Sequence, residues 1–318
     1  GRWALAVLFL KVLTPGMLTT VQDCGRHNYQ KWGIPVAGAM DEYALRVANI
    51  LVGNPEKEAC LEITLLGPTL EFLADSLVAL TGADLGARIE KRECPLWESF
   101  WVKKGEKLEF TGVKSGCRSY LAVAGGIDVP VVMGSKSTYL RGSFGGYKGR
   151  PLRTGDELER GTAPAPAAVR IPPEYINRPQ SPWEVRVVLG PQAESFTEEG
   201  LREFLSGEYT VTSEADRMGY RLQGPTIAHK SGADIVSDGI ALGSVQVPGQ
   251  GQPIVMMADR QTVGGYPKIA TVITPDLWKL AQAKPGDTIR FKQVELREAH
   301  LLYREYEDKI RMIARNLL

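Results

Sequence analysis

A mainly β chain of two strand-rich units is what the sequence predicts, and three observations carry that prediction. From residue 59 to 126, short apolar runs (ACLEITLL, TLEFL, SLVALTG, SFWVKKG, RSYLAVAGG) recur, with turn residues about every ten positions, the spacing of an all-β barrel or sandwich. A second strand-rich stretch opens at Trp183 with EVRVVLGP and runs through KPGDTIRF at 284–291. Between them GTAPAPAAVRIPPEYINRPQSP (161–182) is rich in Pro and Ala and reads as an extended linker. The expected division is therefore a first β-unit over 1–170, a second over 171–296 and a C-terminal helix over 297–318, with few other helices.

Taken in order, Leu5 to Val21 reads as a strand, a Pro15-Gly16 turn and a second strand. The WALAVLFL run at its start is too short to span a bilayer and Lys11 interrupts it; no small-residue cleavage site follows, so it reads as a first strand, not a signal peptide. Residues 22–41 are polar and glycine-punctuated, a long loop. Tyr43, Leu45, Val47, Ile50 and Leu51 then recur at helical spacing; Asp41 caps the start, and Gly53 with Pro55 stops it. TEEGLREFLSG (197–207) reads as a short amphipathic helix ended by glycine, and TPDLWKLAQA as another, with Thr274 as cap and Pro275 at its first position. From Glu295 onward the chain is helical, with Leu302, Tyr306, Ile310, Ile313 and Leu317 in one stripe for packing on the body or on a partner subunit.

Two internal echoes favour two similar β-units with a cleft between them. LLGPTLEF (65–72) resembles LQGPTIAH (222–229), and KKGEKLEF, RTGDELER and KPGDTIRF share a basic/Gly/acidic turn leading into a strand.

Composition narrows the partners. The 318 residues are 43% hydrophobic and 24% charged, an ordinary globular balance. Lys plus Arg number 38 against 37 for Asp plus Glu, so no basic field invites nucleic acid or an anionic membrane, and a small molecule or another protein is expected instead. The four cysteines form no C-x-x-C pair, which fits reduced thiols in the cytoplasm. The three histidines form no ligand pair, so no metal site is expected on this chain, and acid–base chemistry falls to Asp, Glu, Lys or Tyr. P-loop, Rossmann and nucleophile-elbow patterns are absent.

Polar density singles out 234–273, DIVSDGIALGSVQVPGQGQPIVMMADRQTVGGYPKIATVI. Two short apolar runs, Ile254 to Met257 and Ile269 to Ile273, are separated by Gly, Gln, Asp and Arg. Glycine-hinged backbone carrying this many carboxylates, amides and guanidiniums suits a pocket for a small hydrogen-bonding ligand; polar hairpins on a barrel are the alternative. Three clusters follow. Gln22, Asp23 and Arg26, with Asp41 beyond, form the first. Ser135, Lys136, Ser137, Thr138 and Arg141, followed by the glycines at 145 and 146, form the second, which would hold a phosphate or carboxylate or be a basic surface loop. Asp216, Arg217 and Arg221 join the 234–273 stretch as the third, where Arg217 is either a structural ion-pair partner or a bidentate carboxylate clamp. Cys24 lacks a neighbouring base in sequence and is read as incidental.

These residues carry a resemblance. TTVQDCGRHNYQKWGIPVAGAMDEYALRVANILVGN, LEITLLGPTLEF, YLAVAGGIDVPVVMGSKSTYLRG, ADRMGYRLQGP and SDGIALGSVQVPGQGQPIVMMADRQTVGGYPKIATVI resemble, in order, the blocks of the carboxyltransferase-like family. That family comprises the carboxyltransferase domain of urea carboxylase (the urea amidolyase system), allophanate hydrolase subunit 2 proteins and the C-type subunit of 5-oxoprolinase, and includes proteins of the antagonist-of-kinase-inhibitor type. The resemblance implies two cyclophilin-like β-barrel domains. It implies partners: a B-type subunit resembling a sporulation-kinase inhibitor and an A-type oxoprolinase subunit. The activity it implies is ATP-dependent opening of the 5-oxoproline lactam to glutamate, with ATP and Mg2+ as cofactors of the complex.

An unstrained lactam hydrolyses slowly, and phosphorylating its oxygen would make that oxygen a leaving group. Such a site must hold a carboxylate and an amide. The expected lining is Asp23, Asp41 and Asp259 as catalytic groups, Arg26, Arg217, Gln246 and Gln252 toward the substrate, and Ser135, Ser137 and Thr138 toward the nucleotide. Arg217 or Arg26 would clamp the carboxylate; Asp23 or Asp259 would orient a nucleophile or metal-bound nucleotide. Cys24 and His27 are not carried over as catalytic. The length, with no attached biotin carboxylase and no A-M-K-M biotinyl motif, favours the oxoprolinase subunit. The alternatives are a carboxyltransferase subunit served by a separate biotin carrier, and a regulator that binds a kinase-inhibitor partner without turnover.

Overall fold

The computed structural model describes residues 5–317 except 163 and 165, so Trp3 and Ala4 of the expected first strand lie outside the described residues. The chain is mainly β, with four α-helices among the described residues: Glu42–Leu51 (α1), Glu198–Ser206 (α2), Leu277–Gln282 (α3) and Leu296–Leu317 (α4). It divides into two compact units. The first holds 1–26, 37–178 and 308–318; the second holds 27–36 and 179–307. The expected boundaries at 170 and 296 differ from this division for a physical reason. The Pro/Ala-rich passage is extended but tied down at first: Val169 exchanges hydrogen bonds with Ser99, and the Ile171 amide donates to the Trp97 carbonyl. At the other end, the last turns of α4 count with the first unit, where Ile310 and Ile313 are buried.

In the first unit the strands form two sheets. One runs Leu18–Gln22, Cys60–Thr64, Ser115–Val123, Ser76–Asp84, Ser99–Val102; the other has Ala6–Thr14 near its middle, flanked by Glu157–Gly161 and Thr69–Phe72. Strand alternation sorts the five-stranded sheet into two faces. The row Val21, Leu61, Leu121, Leu80 joins Phe9, Leu10, Leu70 and Phe72 of the other sheet in one hydrophobic core. The next row, Thr20, Glu62, Tyr120, Thr81, lies on the opposite face and is polar. Helix α1 covers that face: the Asp41 amide donates to the Tyr120 hydroxyl at 2.8 Å, and Thr81 Oγ1 donates to the Ala44 carbonyl at 2.6 Å. As expected, Asp41 caps α1, its carboxylate accepting from the Ala44 amide at 3.0 Å.

In the second unit seven strands close a barrel in the order Trp183–Leu189, Lys268–Val272, Ser244–Gln246, Ile254–Met256, Gly219–Gln223, Tyr209–Val211, Thr288–Gln293. The closing seam is parallel, Trp183 facing Ile289 through Val187 facing Gln293, and closure removes the open edges a sheet would expose. A separate two-stranded ribbon pairs Asp238–Gly239 with Val263–Gly264. Thr197 caps α2 through the Gly200 amide. Thr274 does not cap α3: it sits inside a 3-10 turn, Thr274–Asp276, and α3 starts after it with no side-chain cap. The Asp276 carboxylate, next in line for that role, instead grips the Arg186 guanidinium at 2.8 and 3.0 Å.

One sequence echo corresponds to a structural one. At 103–106, 153–156 and 284–287 the acid's carboxylate accepts from the amide of the basic residue three positions earlier, at 2.8, 2.7 and 3.0 Å. The acid's own amide returns a bond to that residue's carbonyl. Between them Gly105, Gly155 and Gly286 hold φ of +91°, +91° and +94°, which a side chain resists. Each turn then clasps one residue of a neighbouring strand: Phe72, Val12 and Val211 each accept from the glycine amide and donate to the acid's carbonyl. The other echo fails structurally, since Thr69–Phe72 is a strand whereas His229 makes only an isolated bridge to Phe196.

Candidate functional site

The first two polar clusters, more than a hundred residues apart in sequence, meet in the first unit. Asp23 follows the strand Leu18–Gln22, and its carboxylate is enclosed by the 135–137 loop. Oδ1 accepts from Ser135 Oγ at 2.6 Å, Ser137 Oγ at 2.7 Å and the Gly25 amide at 2.8 Å; Oδ2 accepts from the Lys136 amide at 2.8 Å. Arg26 is fully buried and donates to three backbone carbonyls, from Nε to Val132 at 2.9 Å and from Nη2 to Ser137 at 2.9 Å and Ser135 at 3.3 Å. Its guanidinium lies 5.0 Å from the Phe144 ring centre. Burial pulls its pKa down, and the Asp23 charge offsets this in part. Gly145, at φ +76°, makes room: a Cβ there would stand 2.1 Å from the Ser137 carbonyl oxygen and 2.9 Å from Arg26 Nη2.

Thr138 Oγ1 donates to the Val21 carbonyl at 2.9 Å, so the hydroxyl protons of Ser135, Ser137 and Thr138 all have acceptors inside the chain. All three side chains are buried. In this arrangement they do not fit a triphosphate, which needs donors facing it. Lys136 turns away to Glu58, Nζ to Oε1 at 2.7 Å. Asp41 lies elsewhere in the unit, at the head of α1, in a buried chain that sequence reading missed. There Tyr120 Oη donates to Glu62 Oε2 at 2.7 Å, and the Met40 amide donates to the same oxygen at 2.9 Å. Burial, then the Glu62 and Asp41 charges, push the Tyr120 hydroxyl pKa well up.

In the second unit Arg217 and Asp259 pair face to face, Nε to Oδ2 and Nη2 to Oδ1, both at 3.1 Å and both buried. The Arg217 fork, expected as a carboxylate clamp, thus holds a carboxylate of its own chain. Arg260 beside it donates from Nε to the Ile240 carbonyl at 3.0 Å, and desolvation brings its pKa down to about 10 against the raising effect of Asp259. Gln252 brackets the Gly224 peptide, accepting from its amide at 2.8 Å and donating to its carbonyl at 3.1 Å. Gln246 lies in the barrel strand Ser244–Gln246, across from Lys268. Lys268 also escaped sequence reading; its one signal was a lysine opening the apolar run K-I-A-T-V. Among the described residues no group of three or more His, Cys, Asp or Glu is arranged to hold a metal.

Comparison with known proteins places this geometry in a family. The model for the carboxyltransferase domain, subdomain A and B, matches residues 32–293. The chain belongs to that family. It is 44% identical over 292 residues to the C-type subunit of 5-oxoprolinase from Escherichia coli K12, spanning 91% of this chain and 93% of that protein. It is 39% identical to the corresponding 5-oxoprolinase subunit of Haemophilus influenzae, over 92% of this chain and 95% of that one. The solved K. lactis urea amidolyase superposes with a TM-score of 0.90 at 32% identity, over 97% of this chain but 20% of the far longer enzyme.

Proposed function

We propose that this chain is the C-type subunit of an ATP-dependent 5-oxoprolinase, active in a complex with A-type and B-type subunits. The observation that carries the reading is the 44% identity to an E. coli protein of that name across 93% of its length. The rival reading is matched more weakly: the amidolyase is 32% identical and covered over 20% of its chain, against 44% identity over 93% of the E. coli protein. The four cysteines are thiols and not disulfides, in keeping with the reducing cytoplasm we assign to it. Among the described residues no helix is long and apolar enough to cross a membrane.

On this reading the chain contributes recognition of a small polar amide, and its buried, hydrogen-bonded carboxylates and guanidiniums keep the framework rigid. ATP with Mg2+ supplies the phosphoryl group that activates the lactam oxygen. The hydroxyls of Ser135, Ser137 and Thr138 are engaged internally, so the nucleotide is assigned to the assembled complex and not to them. The test is glutamate release from 5-oxoproline with ATP and Mg2+, using this chain purified with its A- and B-type partners. Activity that vanishes when this chain is left out is expected. An intact complex with no activity moves the assignment to carboxyl transfer from a separate biotin carrier, a reading favoured by the amidolyase superposition.

A further inference from the structure

Lys268 and Gln246 pair across adjacent strands of the second unit's barrel. Lys268 is 1% exposed and Gln246 5% exposed. Lys268 Nζ and Gln246 Nε2 are both buried and have no hydrogen-bond partner among the described residues. Over them lies the ribbon of Asp238–Gly239 and Val263–Gly264, in which Asp238 pairs with Gly264. Asp238 Oδ2 stands 3.7 Å from Lys268 Nζ, an ionic contact beyond hydrogen-bond length, and Asp238 is itself well exposed. Gly264 sits against the amide, since a Cβ there would be 2.9 Å from Gln246 Nε2. Two register pairs therefore face each other: ammonium and amide donors below, a carboxylate and a bare glycine above.

Desolvated N–H donors without acceptors are costly, and an ammonium is the costliest, so a protein that retains one commonly does so for a ligand. We propose that Lys268 and Gln246 form a carboxylate-binding site roofed by this ribbon, and that its ligand is the carboxylate of the cyclic amide substrate. One carboxylate oxygen accepts from Nζ and its neighbour from Nε2; Gly264 puts no side chain against the amide, and the ribbon must lift for the ligand to enter. The identity of the ligand rests on the oxoprolinase reading; the site itself rests on the geometry. Arg217 already holds Asp259, and among the described residues of the second unit Lys268 Nζ and Gln246 Nε2 are the buried side-chain donors without a hydrogen-bond partner; Arg26 Nη1 is another such donor, in the first unit.

The test is calorimetric titration of the wild-type chain and of its complex with 5-oxoproline, with pyrrolidin-2-one (the same ring lacking the carboxylate) and with acetate. Wild type is expected to bind 5-oxoproline at least tenfold more tightly than pyrrolidin-2-one, with acetate competing. Lys268→Met should lose at least tenfold in 5-oxoproline affinity while melting no lower than wild type, because a desolvated ammonium with no hydrogen-bond acceptor has been removed. Gln246→Glu gives Lys268 an internal carboxylate, so it should melt higher and lose 5-oxoproline binding. Equal affinity for the two rings, no binding in chain or complex, unchanged affinity in Lys268→Met, or a large drop in its melting temperature overturns the site. The glutamate assay separates the two ideas. A complex carrying Lys268→Met that turns over at the wild-type KM sinks the site and leaves the function. A wild-type complex that binds 5-oxoproline through Lys268 but releases no glutamate sinks the function and leaves the site.

Discussion

Cys24 sits one residue from Asp23 in the best-connected polar cluster of the first unit, yet its chemistry is muted. Burial first, then the Glu42 and Asp23 charges, push its thiol pKa well up. Burial likewise raises Cys60, and takes Cys94 from 9.0 to about 12. The thiolate is the reacting form, so mass spectrometry at pH 8 should find Cys24, Cys60 and Cys94 unlabelled by a disulfide reagent in native protein and labelled within minutes in guanidinium. Rapid native labelling of Cys24 would revive it as a nucleophile. The linkage runs in one direction. An acid raised by folding contributes fully below its unfolded pKa and loses that contribution as pH climbs toward the folded value, so stability should fall from pH 9 toward 12. Cys94→Ser should flatten part of that slope. Arg217 and Asp259 make the complementary point about charge. Truncating either to an apolar residue strands the other in the interior, and urea unfolding should show a loss of about 3–5 kcal/mol. Removing both should cost much less than the sum of the two single changes.

At the scale of elements, caps and turns are legible in the sequence because they close within a few residues. Asp41 capping α1 and the three glycine turns follow from local spacing, whereas Thr274, expected as the cap of α3, lies inside a 3-10 turn before it. Asp41 is also a candidate catalytic group, and two substitutions separate the roles. Asp41→Asn can still accept from the Ala44 amide and should stay within a few tenths of a kcal/mol of wild type, whereas Asp41→Ala should lose about 0.5–2 kcal/mol. If Asp41 only caps the helix, Asp41→Asn keeps wild-type glutamate release in the complex; a loss of activity without a loss of stability identifies a chemical role. What stays illegible is long-range closure. Asp23 and the 135–138 loop read as separate clusters because nothing in either stretch encodes the long-range hydrogen bonds that join them. Gln246 stands out for its glycine-rich surroundings, but its partner Lys268 does not, since register across a barrel is set by pairings between distant segments.

For the whole molecule, the alternation of apolar runs and turns announces a mainly β fold, and the Pro/Ala-rich passage announces two units. The parallel seam joining Trp183–Leu189 to Thr288–Gln293 is not announced, because its partners lie about a hundred residues apart. The apolar stripe of α4 announces that the helix packs, but not that its final turns count with the first unit. Its final turns bury Ile310 and Ile313, and Lys309 Nζ lies 4.8 Å from the ring centre of Tyr43. Stopping the chain after Glu307 exposes the site of two isoleucines worth about 1.5–3 kcal/mol each. Hydrogen exchange should then show faster opening around α1, and unchanged protection there would mean that these turns merely rest on the unit. The glycine turns at 105, 155 and 286 occur in both units, twice in the first and once in the second. Each completes its hydrogen bonds over four residues, a contact that forms on the submicrosecond scale of local loop closure, well before distant strands find each other. In kinetic terms these are early fixed points: each strand that follows already has its starting register when its partner arrives, which removes the one-residue slips that slow and misdirect β-rich chains.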